Sequence, residues 1–339
     1  MENPMTPPEI RPDARPKRYP PPEFPPRKAA AFAKTPPAIF PPILGLLGLA
    51  QAVGLALAAL SLPAAPGQFL AGIVVPLWAF AAFAYAVKLA RRPSVVTDDL
   101  RVLPGRAGLA AMAMGGMAAA ALLAPYAPDW AKALLIAALC LHAVLAVLLI
   151  RLLVGLPPVG REVNPTWHLS FVGFIVAAPA AVQLGWSGLA EALFWLTLPV
   201  AVLIWGMSAS QFLRSVPPAP LRPLLAIHLA PVSLLAIVAA LLGKADMATG
   251  FLALGVVLAG GLVVAGRWVT VSGVTPLWGS FTFPLAALAL AMLVQGGAWL
   301  VPGQVLVAVG VLAIPAIAIW VLKRWPGGRL GQVTNAAEA

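Results

Sequence analysis

Past residue 36 the chain alternates between long apolar blocks and short polar interruptions. Ten blocks are each long enough to cross a bilayer, near 38–61, 67–89, 106–125, 130–151, 166–186, 190–213, 222–243, 247–267, 276–299 and 302–323. A transmembrane helix needs about 20 apolar residues. The interruptions carry turn chemistry, in LPAAPG, APYAPDW, WSG, GKAD and VPG. Loops this short force consecutive helices to be antiparallel neighbours. The pattern predicts an all-α membrane protein of ten transmembrane helices.

Composition agrees. Hydrophobic types make up 61% of the 339 residues and charged types 10%, with mean hydropathy +0.93. A soluble domain carries about 25% charged residues, so this chain cannot cover a water-facing surface of its size. The first 34 residues differ, with ten prolines and seven Lys/Arg and no signal-peptide core. Residues 1–35 are expected to be a disordered, basic cytosolic tail, 36–325 the membrane domain, and 326–339 a cytosolic carboxyl-terminal tail.

The net charge of +11 would suggest nucleic acid in a soluble protein. Position gives a better explanation. With the amino terminus inside, the inner loops and carboxyl tail hold thirteen Lys/Arg and the outer loops only Lys132 and Lys244. By the positive-inside rule this predicts ten spans with both ends cytosolic in the inner membrane. Every even span ends at a basic residue, Lys88, Arg151, Arg214, Arg267 and Lys323, at intervals of 63, 63, 53 and 56 residues. The unit is a helical hairpin. Five tandem hairpins close into a ring around a central pore if the repeat is structural; topology alone also makes such spacing.

Odd spans carry more of the residues that disturb or polarise a helix. Examples are Pro41, Pro42, Gly45 and Gly48 in span one, Gly173 and Pro179 in span five, His228 and Pro231 in span seven, and Ser280, Thr282 and Pro284 in span nine. Irregular backbone is tolerated in membranes where protein buries it or where it lines a wet cavity. Spans four and eight are nearly all Ala, Val, Leu, Ile and Gly, as lipid-facing helices should be. The odd helices are thus expected inside and the even ones outside.

No span carries Asp or Glu near its middle, which removes the acidic rings of cation channels and the buried carboxylates of proton pumps. No catalytic or metal-ligand cluster is visible, so no enzyme activity, metal or cofactor is expected. Cys140 is the sole cysteine and is expected to be an ordinary apolar position. His228, three residues before Pro231, is the candidate for lining a pore or coupling to protons. In WGSFTFPLAALAL, residues 278–290, Pro284 removes an N–H, crowds the carbonyl of Ser280 and biases Phe283 away from helical geometry. Ser280 and Thr282 are expected to help satisfy the disturbed backbone of this kink.

The order of these features resembles the tellurite-resistance and dicarboxylate transporter family, which includes the plant slow-type anion channels. The resemblance rests on ten spans with both ends inside, on FTFPL at 281–285, YAVKL at 85–89, NPTWHLSFVG at 164–173 and AIFPPILGLLGLA at 38–50, and covers about residues 36–325. It implies a homotrimer whose protomers each hold a pore lined by odd helices and plugged by a phenylalanine of span nine. By position that residue is Phe283. Trp278 stands five residues before it where the family usually leaves four, which keeps Phe281 as the alternative. The two do not share the role, since residues two apart on a helix point about 200° apart. The implied function is an anion channel or uniporter for small inorganic or organic anions, with membrane lipid as its surroundings and no nucleic acid. The alternative is a proton-coupled carrier of dicarboxylate, sulfite or tellurite-type oxyanions.

Overall fold

The computed structural model describes residues 30–339, so most of the expected amino-terminal tail lies outside the described residues. Every regular element among them is helical. Nine helices are long and apolar enough to cross a membrane: Pro37–Ala59, Ala65–Arg91, Leu103–Leu123, Pro128–Val154, Ser187–Arg214, Ala219–Leu241, Ala245–Val264, Pro276–Gln295 and Gly297–Leu322. They coincide with the expected spans one to four and six to ten. The block expected as span five is present but broken. His168–Val172 is a π turn, Gly173–Val176 a 3-10 turn, and only Ala177–Gln183 a regular α-helix. Hydropathy registers apolar length and is blind to which hydrogen-bond ladder the backbone adopts.

The odd spans all open with proline in the first turns, among them Pro37, Pro104, Pro220 and Pro276, apart from the broken fifth, where Pro165 precedes the helical run. At these positions the missing N–H would have no intrahelical partner, and the fixed φ suits a helix start. Burial separates the two sets. Spans one, three, seven and nine bury 61%, 89%, 78% and 67% of their most apolar stretch, whereas spans two, four, six, eight and ten bury 17–33%. Large apolar side chains on the even spans, such as Phe69, Val144, Leu203, Val257 and Leu312, are exposed, as a lipid-facing surface requires.

Span one packs tightly on span nine because of its glycines. A methyl group at Gly45 would overlap Thr282, and one at Gly48 would lie 3.3 Å from the Phe283 ring. Small residues at such contacts let helices approach where no hydrophobic drive separates protein from lipid.

One end of the bundle is tied by a buried charge. Asp99, on the short helix Val95–Arg101, accepts hydrogen bonds from Lys88 Nζ (2.9 Å), Tyr85 Oη (2.9 Å) and the Ala337 backbone N–H (2.8 Å). Lys88 Nζ also donates to the Thr35 carbonyl (3.0 Å), and both charged side chains are fully buried. Ala339 N–H donates to the Ala33 carbonyl (3.1 Å). Phe32 stacks edge-on against Phe80 and Phe83. The turn before span one and the segment after span ten therefore meet at this end, where Leu330 of the helix Arg329–Val333 is buried.

Candidate functional site

All five odd segments contribute residues from their first three turns to one cavity of about 40 Å³. Its wall takes Ala38, Pro41 and Leu44 from span one, Pro104, Ala107 and Ala111 from span three, and Leu169 from span five. Span seven adds Leu224, Ile227 and Ala230; span nine adds Pro276, Leu277, Gly279, Ser280, Phe283 and Pro284. Its wall is almost wholly apolar and offers a water few partners. Ser280 is the one hydroxyl in the wall, and it donates to the Pro223 carbonyl at 2.6 Å. A second cavity of about 10 Å³ shares Leu169, Ile227 and Ala230 with the first and adds Met114, His168, Val172, Gly173, Ile175, Pro231 and Leu234.

The two phenylalanines of FTFPL separate as their spacing demands. Phe283 is buried, lines the larger cavity and stands against Gly48 of span one. Phe281 is only partly buried and packs edge-on against Trp278, ring centres 5.7 Å apart. Trp278 in turn donates from Nε1 to the Gly273 carbonyl (3.0 Å).

Helix Gly279–Gln295 runs through Pro284, with Phe283 inside it. The expected bias of Phe283 away from helical geometry is not seen, because packing of its buried face outweighs a local preference. The hydroxyls also act differently from expectation. Thr282 Oγ1 donates to Gly279 O (2.7 Å) and contacts Pro41 O (3.2 Å), while Ser280 reaches Pro223. The carbonyl that Pro284 frees is that of Ser280, and neither hydroxyl bonds to it. Ser280 ties span nine to span seven, while Thr282 bonds back within its own helix and also reaches span one.

His228 is half-buried at the end of a ten-residue 3-10 run, Ala219–His228. Its Nδ1 lies 3.0 Å from Nε2 of His168. Pro231 lines the smaller cavity. Trp205 of span six closes the group, its ring 5.5 Å from His168 and its Nε1 donating to the His228 carbonyl (3.3 Å). His142 sits apart on span four, edge-on to Phe174 with ring centres 4.5 Å apart. The histidine pair was not legible in the chain, since 60 residues separate its members; the irregular residues around each were the only signal.

Among the described residues no carboxylate, lysine or arginine lines either cavity. Two guanidiniums stand beside wall residues in the chain. Arg106 Nε donates to the Leu100 carbonyl (2.5 Å). Arg222 lies over the Trp268 ring at 4.2 Å and donates to the carbonyls of Pro217 (3.1 Å) and Trp268 (3.3 Å). Among the described residues neither guanidinium pairs with a carboxylate.

Comparison with known families gives a match to the voltage-dependent anion channel model over residues 34–323. No curated relative matches the chain.

Proposed function

This chain belongs to the voltage-dependent anion channel family, and we propose that it conducts small anions through a conduit lined by its odd helices and closed by Phe283. The observation that carries this reading is the convergence of all five odd segments on one apolar cavity with Phe283 in its wall. Apolar constrictions gate by excluding water, and an apolar space of about 40 Å³ with Phe283 in its wall is too small for a hydrated ion. Turning Phe283 to another χ1 well is the opening step.

Anion preference follows from what surrounds the conduit. The odd helices begin at this end of the bundle, and the positive ends of their dipoles favour an anion there. Arg106 and Arg222 add charge at the same end. Nothing acidic opposes them in the wall.

The broken fifth segment counts as a crossing in this reading. Nine crossings would leave residues 33 and 339 at opposite ends, whereas their hydrogen bond supports an even number, ten. Five hairpins around one conduit, both ends cytosolic in the inner membrane and assembly as a homotrimer complete the proposal. The test is the reversal potential of purified protein in planar bilayers under a salt gradient. Reversal near the anion equilibrium potential is expected. Reversal at the cation potential, or no current in any salt, would refute conduction of anions.

A further inference from the structure

We propose that His168 and His228 form a one-proton site whose charge draws anions into the conduit, an inference that rests on the anion-conduit reading above. The two imidazoles face each other edge to face, ring centres 5.0 Å apart, with Nε2 of one 3.0 Å from Nδ1 of the other. Neutral, the pair shares a single N–H between these nitrogens. A first added proton goes to an outer nitrogen, and the shared bond survives as a stronger, charge-assisted one. A second proton would put two N–H donors nose to nose and part the rings. The geometry therefore accepts one proton and resists two.

The pair's position gives that proton a use. Among the described residues His168 is the one titratable residue lining either cavity. Its Nδ1 is buried without a partner, in a side chain 1% exposed. Once that nitrogen is protonated, an otherwise apolar conduit holds a fixed positive charge and a free N–H. Both histidines also end irregular backbone: His168 opens a π turn and His228 closes a long 3-10 run. Such stretches are uncommon and collect at functional hinges. Two imidazoles, with no group of three metal-binding side chains among the described residues, suit a proton rather than a metal ion.

No other charge takes over this role. The elements around the pair carry Arg106 on span three, His142 and Arg151 on span four, Arg214 on span six, Arg222 near the start of span seven and Arg267 at the end of span eight. Glu191 of span six is paired with Lys244, and Asp129 of span four with Lys132. None of these hydrogen-bonds or ion-pairs with either imidazole among the described residues. Spans nine and the helix Leu229–Leu241 contribute no titratable side chain.

The test is chloride flux into liposomes from about pH 8 to about pH 5, where an imidazole gains its charge. Wild-type flux is expected to rise about tenfold as pH falls, and the rise to vanish in His168→Gln and in His228→Gln. His142→Gln, checked like the others for a single peak on size exclusion, is expected to keep the wild-type profile. A flat wild-type profile, an unchanged rise in both pair variants, or a loss equal in His142→Gln would each overturn the proposal. Absence of flux at every pH would instead sink the anion-conduit reading on which it rests.

Discussion

A phenylalanine two residues from another faces a different world in the same helix. Phe283 meets the cavity and Gly48; Phe281 meets Trp278. Phe281→Ala should cost about 1 kcal/mol, the worth of an edge-to-face pair, and leave ion flux at the wild-type level in a liposome assay. At the same scale, Asp99 gathers three donors with no solvent to replace them. Asp99→Ala strands Lys88 as a buried charge, for which about 3–5 kcal/mol is the usual loss. A clearly lower melting midpoint in detergent is expected. Adding Lys88→Met to Asp99→Ala should recover part of it.

Among elements, span one and span nine approach closely, and glycine makes it possible. Gly45→Ala has nowhere to put its methyl group beside Thr282, so overpacking of about 1–3 kcal/mol is expected. Ser280→Ala removes one interhelical bond to Pro223 and should cost about 0.6 kcal/mol, the mean for such bonds in membranes. Thermal melts of the two variants should therefore rank Gly45→Ala well below Ser280→Ala. Span positions were legible in the chain because apolar length alone decides them. The odd–even division was legible too, since proline, glycine and hydroxyl residues accumulate where backbones meet. What the sequence hid lies in pairings between distant elements. The π and 3-10 breaks of span five, the hydroxyls that tie span nine to spans one and seven, and the histidine pair all depend on a neighbour that no local pattern names. Lys88 looked like one more topogenic charge, and only the fold brings Asp99 beneath it.

For the whole molecule, the odd spans are mostly buried and the even spans mostly exposed, the division that the proposed conduit and its lipid-facing coat require. In that proposal selectivity comes from the helix starts and closure from the apolar interior, so the two arise in different parts. The central claim is that the Phe283 ring is what keeps the conduit closed. The most direct measurement is anion current through purified protein in planar bilayers, wild type against Phe283→Ala, with monodisperse protein in both. A rise of about tenfold or more is expected, as an occluding ring is replaced by a methyl group in an apolar constriction. Equal currents from the two correctly folded proteins would contradict it.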